Sequence, residues 1–139
     1  MFGKPLNTLS NSHKPMYIAH KKGIRYDDYD NELPIYEEPF FYNMVNYMPL
    51  VGNELEAYTK AYGETTNSIV RCFVDYTDTN LFHEFDIAYL YGNTPDGEIQ
   101  IGDNANYIIR AVKEQNTKTM ILLEEIVKGD ISNGESQNN

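Results

Sequence analysis

Short apolar runs separated by polar turns fill the second half of the chain. The runs occupy residues 68–75, 82–90, 106–112 and 120–127. They are rich in β-branched and aromatic residues, which favour extended strands, and the turn-forming sequence NTPDG at residues 93–97 interrupts them. This pattern predicts several strands that fold into a small all-β body and end in a hairpin.

The first half of the chain alternates less regularly. Residues 16–21 have the composition of a strand, and the acidic, aromatic residues 23–34 predict a loop. Residues 35–48 predict a long extended segment that Pro49 ends. Pro39 cannot donate a hydrogen bond within a sheet, so it favours an edge or a bulge at that point.

One helix is predicted, over residues 53–63. Asn53 can accept the first-turn hydrogen bond, and Glu56 follows three residues later, which is the spacing of a capping box. Gly63 is a typical residue for ending a helix. One face carries three residues at helical spacing: Leu55, Tyr58 and Tyr62.

The final segment has two interpretations. Residues 119–128 can form a helix with one apolar stripe, or the second strand of a hairpin. We favour the strand because the preceding run is strongly β and the loop between them has hairpin length. The earlier strand of this hairpin is apolar on both faces, with Tyr107 and Ile109 on one and Ile108 and Val112 on the other.

A strand that is apolar on both faces is covered on both faces. One cover is the barrel interior, and the other is a helix of the same chain or a neighbouring subunit. The residues of the hairpin that the sequence offers as a candidate interface are Tyr107, Ile108, Ile109, Val112 and Met120.

Length and charge narrow the class of protein. The 139 residues suggest one domain at 15–127, between a flexible N-terminal arm at 1–14 and a disordered, acidic tail at 128–139. The net charge of −10 opposes binding to duplex DNA, since phosphate contacts need clustered basic residues and the 11 Lys and Arg are scattered. No signal peptide or membrane span is evident, so we expect a protein located or assembled in a cytosol.

The sequence shows no reaction chemistry. Cys72 is the single cysteine, so no disulfide within the chain is possible, and its apolar surroundings predict a buried thiol. His83 and Glu84 begin like a zinc-protease helix, but Ile87 stands where the second histidine belongs. The three histidines lack the spacing of metal ligands. We therefore expect no catalytic residue, no metal site and no cofactor.

The densest acidic segment lies within residues 23–34. It falls short of a calcium-binding loop, because the ligand positions are incomplete and the required glycine is missing. A solvated loop is the simpler interpretation of its carboxylates, Asp27, Asp28, Asp30 and Glu32.

Four features occur together in a fixed order along residues 15–127. The first is a strand containing Tyr17 and Ala19, which leads into Tyr29-Asp30-Asn31 and the Pro/Tyr-rich segment 39–47. The second is the short helix that ends in Tyr62-Gly63-Glu64, and the third is Phe82-His83-Glu84-Phe85-Asp86 with Tyr89-Leu90. The fourth is the segment 102–109 (GDNANYII), which precedes the closing hairpin. In this order the chain resembles the head-closure, or stopper, proteins in the neck of tailed bacteriophages.

The resemblance implies a mainly β protein: a small closed β-barrel with one short helix, a long mobile loop and a C-terminal hairpin. It implies a structural virion protein of the neck, assembled in the host cytoplasm, and no enzyme. Copies would form a ring with portal and adaptor proteins above and tail proteins below. The ring would close the portal channel after DNA packaging, and genomic DNA would pass through without specific binding.

Two questions have more than one answer at this point: which loop gates the channel, and to which functional class the chain belongs. The acidic segment 23–34, with Asp27, Asp28, Asp30 and Glu32, and the segment 63–68 are both candidates for the gating loop. A ring of chains that each carry about ten negative charges would repel DNA phosphates from its lumen. The main alternative function is a monomeric β-barrel binding module with a Tyr-lined ligand face, and an unrecognised enzyme is the third.

Overall fold

A computed structural model describes residues 14–64 and 67–127. The predicted arm and tail fall outside this range, apart from Lys14, which is the first residue of the first strand. The chain is mainly β, as the sequence predicts. Its elements are β1 (Lys14–Ala19), β2 (Lys21–Tyr26), β3 (Glu32–Tyr36), β4 (Phe40–Pro49), α1 (Gly52–Tyr62), β5 (Ile69–Asp75), a 3₁₀ helix (Tyr76–Leu81), β6 (Ile87–Tyr89), β7 (Tyr107–Glu114) and β8 (Lys118–Glu125).

Six strands form one curled antiparallel sheet in the order β1-β4-β5-β8-β7-β6. The short strand β6 pairs with β7 on one side and with β1 on the other. The two long edges of the sheet therefore meet only through the three residues of β6. The resulting body is barrel-like with one weak seam, so the closed barrel that the resemblance implies is confirmed only in part.

The interior of the curled sheet is a single apolar cluster. Strand β5 contributes Val70, Cys72 and Val74, which alternate onto the inner face as the sequence predicts. Cys72 is 0% exposed, and burial raises the pKa of its thiol to about 12. The predicted packing role of Cys72 is consistent with this position, because a buried protonated thiol is a poor nucleophile.

Helix α1 covers part of the outer face of the sheet. Tyr58 is buried there beside Leu50, Ile69, Ala111 and Leu122. The helix begins after Val51, and no side chain caps it, so the predicted Asn53 capping box is wrong. Packing on the sheet stabilises this short helix more than its cap does.

The C-terminal end of α1 follows the sequence prediction more closely. Gly63 ends the helix with a φ of 95°, and its N–H donates to the Thr59 carbonyl at 2.8 Å. A residue with a Cβ would be strained at that φ.

A bulge in β7 changes which side chains share a face. The pairing with β8 passes from Ile109 opposite Leu123 to Ala111 opposite Leu122, so Arg110 is the extra residue. Beyond it, Val112 packs with the interior cluster, and Ala111 faces α1. The prediction that Val112 shares a face with Ile108 is therefore wrong, because a bulge shifts strand alternation by one residue.

Two other segments differ from their predictions. Residues 23–34 are not a loop but contain most of an antiparallel hairpin formed by β2 and β3. The long run at 82–90 contains strand only over its last part, β6. The helix alternative for the last segment is excluded by β8, which pairs with both β5 and β7.

Candidate functional site

The β2–β3 hairpin stands apart from the curled sheet. Its two strands form a separate two-stranded sheet, and most of their residues are exposed or half-buried. Tyr36, at the base of the hairpin, packs with Ala19, Ile87 and Tyr89 of the main body. Together these facts describe an arm that is anchored at its base and partly exposed along its length.

The tip of the hairpin is an acidic turn. The Asp27 carboxylate accepts hydrogen bonds from the N–H groups of Tyr29 at 2.8 Å and Asn31 at 2.9 Å. The bond from Asn31 is the largest cause that lowers the pKa of Asp27 below its ordinary value, and the bond from Tyr29 lowers it further. Asp30 adopts a φ of 66°, which closes the turn. Asp27 therefore shapes the turn, whereas Asp28 and Asp30 point charge into solvent.

The structure brings the four predicted gating residues together on this hairpin. Asp27, Asp28 and Asp30 lie in the turn, and Glu32 is the first residue of β3. Near the tip end of β2, Arg25 donates to Gln100 of the loop between β6 and β7 at 3.4 Å. This loop is therefore one of the neighbours of the hairpin.

The loop between β6 and β7 is held by a compact polar network. The Tyr89 hydroxyl donates to Glu98, and the Gly102 N–H approaches both that hydroxyl and the Glu98 carboxylate, at 3.0 and 3.1 Å. Asn106 pairs with both backbone groups of Leu90, accepting at 2.8 Å and donating at 3.0 Å. The Asn106 side chain thus pairs with the backbone of the residue directly after β6.

The predicted interface residues do not share one surface. Tyr107 and Ile109 are 5% and 0% exposed in the interior cluster, and Val112 packs against that cluster. Met120 packs beside α1. Burial within the chain removes Tyr107 and Ile109 from any surface that a partner could contact, because their side chains already fill the core.

Ile108 is the member of that set that opens toward the hairpin. It lines a shallow cleft between β7 and the hairpin, and the other residues of the cleft are Lys21, Ile24, Glu32, Pro34, Tyr36 and Phe85. Two covers are expected over the hairpin of β7 and β8. Helix α1 supplies one of them, over Ala111 and Leu122. The face at Ile108 is only partly covered.

At the base of the hairpin, two histidines and a carboxylate come together. His20 Nδ1 lies 2.6 Å from Asp86 Oδ2, and His83 Nδ1 lies 3.4 Å from the same oxygen. The imidazole rings are 5.0 Å apart between centroids. Ligand spacing along the chain does not reveal this cluster, because His20 and Asp86 are 66 positions apart.

Pairing between distant strands creates the cluster. In the β1–β6 ladder, Ala19 lies opposite Ile87, so the next residues along the same register are His20 and Asp86. His83 arrives through a turn in which the Asp86 N–H donates to the His83 carbonyl at 3.2 Å. The only local signal was the three-residue spacing of His83 and Asp86.

The tyrosines do not form a continuous face. Tyr47, Tyr58, Tyr89 and Tyr107 are buried in the core, whereas the exposed ones are scattered: Tyr26, Tyr29, Tyr62, Tyr76 and Tyr91. Tyr26 and Tyr29 belong to the hairpin, and Tyr62 lies at the end of α1. This distribution gives the Tyr-lined ligand face of the sequence analysis no single location.

Comparison with known proteins adds no family. No protein-family model matches the chain, and no curated protein matches it. Among the described residues, none of the helices has the length and apolar character needed to cross a bilayer.

Proposed function

We propose that this chain is a structural protein of the bacteriophage neck, a head-closure (stopper) or head–tail connector subunit. In this role copies form a ring with portal or adaptor proteins above and tail proteins below. The ring closes the portal channel after DNA packaging and offers the surface on which the tail docks. The ordered motifs described above support the family, and the exposed β2–β3 hairpin carries the mechanism.

The hairpin has the properties of a gate. A strand rises about 3.3 Å per residue, so six residues reach about 20 Å from the base. Anchoring through Tyr36 fixes one end of the hairpin. The turn at residues 27–31 at the other end is mostly exposed, so in the proposed ring it can reach into the channel. We therefore favour the hairpin, with Asp27, Asp28, Asp30 and Glu32, over residues 63–68 as the gating element.

Charge at the tip suits contact with DNA that must move. Exposed carboxylates repel phosphate, so a ring of such tips gives packaged DNA no surface to which it can bind. A barrier made of acidic hairpins blocks the channel by its bulk and not by affinity. Genomic DNA then passes without specific binding, and the chain needs no chemistry of its own.

Ring assembly needs exposed apolar contacts between unlike surfaces of neighbouring copies. The hairpin and the adjoining loop supply such residues, since Ile24, Tyr26 and Ile99 are 42%, 59% and 97% exposed. Ile24 and Ile108 line the same cleft, and Ile99 lies beside Arg25 in another. These side chains are better candidates for contact with a neighbouring copy than Tyr107 and Ile109, which are buried.

The test uses the phage or prophage that encodes the chain. Purified particles should contain the protein, and antibodies against it should label the junction of head and tail in electron micrographs. Absence of the protein from intact particles would contradict the proposal.

A second experiment separates the two gating candidates. Replacing residues 27–31 by two glycines should give heads that package DNA and then lose it, measured as nuclease-sensitive genome. Shortening residues 63–68 in the same way serves as the matched control and should retain the genome. Retention in the first variant with loss in the second would assign the gate to the other segment.

The binding-module alternative has weaker support. Tyrosines line the cleft beneath α1 only through Tyr58 and Tyr62, and Tyr58 is already committed to a hydrogen bond with Glu124 at 3.2 Å. A monomer at high concentration, with no assembly onto heads, would favour this alternative.

A further inference from the structure

The cluster of His20, His83 and Asp86 has the donor set of a transition-metal site. Each residue offers one ligand atom, and the three atoms lie within 4.8 Å of one another. Two imidazoles with one carboxylate hold zinc in open, three-ligand sites and iron in non-haem enzymes. The cluster lies at the point where β1 ends and the hairpin begins, since His20 directly precedes β2.

The surrounding backbone holds two of the three side chains in position. Asp86 Oδ1 accepts a hydrogen bond from the Lys21 N–H at 2.8 Å, which leaves Oδ2 for the histidines. The His20 carbonyl accepts from the Glu37 N–H at 2.8 Å, and its ring packs against Phe40 with centroids 5.2 Å apart. Outer contacts of this kind orient metal ligands in known sites.

The turn that presents His83 has an uncommon backbone. Phe85 adopts a φ of 75°, and its side chain is 52% exposed, so burial of that ring does not account for the conformation. The Phe85 N–H donates to the Ile109 carbonyl, and the Asp86 carbonyl accepts from the Ile109 N–H, both at 2.8 Å. Strand β7 thus holds the turn in a form that places His83 beside Asp86, and strain of this kind occurs at functional sites.

The charge balance also favours a cation. The Asp86 side chain is 3% exposed, and its ion-pair partners among the described residues are the two histidines. A buried carboxylate is stable only when paired. The His83 side chain is 59% exposed, which leaves an open side from which an ion and water can enter.

We propose that His20, His83 and Asp86 bind one divalent transition-metal ion of the Zn²⁺ class, with water completing the coordination. The 2.6 Å separation of His20 and Asp86 is a hydrogen bond, and ligands of one tetrahedral ion lie about 3.3 Å apart. When the ion binds, it replaces the proton between His20 and Asp86, and the donor atoms of these two residues move apart by several tenths of an ångström. Exposed His83 is free to adjust.

Metal binding at this place would tie the hairpin to the sheet. His20 belongs to the entry of the hairpin, and His83 and Asp86 belong to the turn before β6. A shared ion links the two segments across the weak seam of the sheet. The site goes beyond the neck role and does not depend on it.

The test is zinc titration by calorimetry of the full chain, produced without a histidine tag and treated with a chelator. We expect one ion per chain and a Tm that rises with added Zn²⁺, because an ion that binds only the folded state stabilises it. Co²⁺ in place of Zn²⁺ should give visible absorption typical of low-coordinate cobalt. Absence of saturable Zn²⁺ binding would overturn the proposal, as would equal binding of Mg²⁺.

Two histidine variants provide a matched pair. His83→Ala removes an exposed ligand without emptying the core, and should weaken Zn²⁺ binding at least tenfold. His13→Ala removes the third histidine of the sequence, which is not one of the proposed ligands, and should leave binding unchanged. Cys72 does not compete, since it is 0% exposed. Equal effects of the two variants would mean non-specific histidine binding and would overturn the site.

Hydrogen exchange of the β2 and β3 amides tests the link to the hairpin. Exchange should slow when Zn²⁺ is added to the native chain and stay unchanged in His83→Ala. Binding of Zn²⁺ with no change in exchange would overturn the link and leave the metal site standing. Failure of zinc binding has no bearing on whether the chain is found in the phage neck.

Discussion

At the scale of single residues, the neighbours of a side chain decide its chemistry. Cys72 and Asp27 illustrate the two extremes. The thiol lies at 0% exposure in the interior cluster, and burial raises its pKa to about 12. The carboxylate lies at the hairpin tip, where backbone N–H groups lower its pKa. Desolvation disfavours the charged form in the first case, and hydrogen bonds favour it in the second.

Substituting Cys72 by Ala should lower the free energy of unfolding by about 1 kcal/mol, because a small cavity replaces the sulfur. Chemical denaturation of the two proteins measures the difference. The native thiol should also react with a labelling reagent far more slowly than after unfolding. Labelling of the folded protein at the rate of a free thiol would contradict its burial.

Asp27 should titrate below its ordinary pKa of 3.8 in the folded chain. Since the folded pKa is lowered, the ionised carboxylate stabilises the turn at pH values above its unfolded pKa. That contribution disappears as the pH falls through the folded pKa. Amide NMR shifts of Tyr29 and Asn31, followed against pH, report the midpoint.

The control for this titration is Asp27→Asn, which keeps an acceptor oxygen and cannot ionise. In this variant the Tyr29 and Asn31 amide shifts should lose the transition that Asp27 causes in the native chain. A midpoint at or above 3.8 in the native chain would be inconsistent with the hydrogen bonds at the hairpin tip.

At the scale of elements, simple alternation of side chains along β7 does not predict the face of the sheet on which every residue lies. Ile108 and Ile109 are adjacent, yet one lines the cleft toward the hairpin and the other is 0% exposed in the core. Arg110, the residue after Ile109, forms a bulge that moves Val112 to the inner face. The strand thus packs against the interior, helix α1 and the hairpin within eight residues.

These neighbours form a matched pair of variants. Ile109→Asp should unfold the domain, because an unpaired charge in the interior is too costly to accommodate. Ile108→Asp should remain folded by circular dichroism, since its side chain can reach solvent. If the Ile108 face meets a neighbouring subunit, that variant should fail to join the connector. Unfolding of both variants would show that the cleft is part of the core.

At the scale of the whole molecule, charge is the dominant property. A net charge of −10 on 139 residues surrounds the sheet with a negative field, and the hairpin tip concentrates part of it. This field suits a protein that lets DNA move past it.

Binding of the isolated chain to duplex DNA should be undetectable at physiological ionic strength. A protein that grips DNA would show affinity that falls steeply as salt increases, because each phosphate contact releases counterions. Fluorescence anisotropy across a salt series measures both the affinity for DNA and its dependence on salt, and a basic DNA-binding protein serves as the positive control. Micromolar affinity with a steep salt slope would contradict the proposed role.

The local pattern of the sequence was sufficient to predict the β class, strands β5 and β8, the position of α1 and the packing role of Cys72. Alternating apolar residues identify strands, and glycine at Gly63 marks a helix end, because these signals depend on neighbouring residues. The hairpin at residues 23–34 was missed, since its strands are exposed and lack an apolar pattern. Charged and aromatic residues there resemble a loop.

The rest depends on contacts between residues far apart in sequence. His20 and Asp86 are separated by 66 positions, and only the register of β1 against β6 brings them to 2.6 Å. The inward position of Val112 depends on a bulge that no local pattern marks. The pattern within β1 or β6 predicts which face of each strand is buried, but it does not say which distant strand will pair with it, so local signals cannot place His20 beside Asp86.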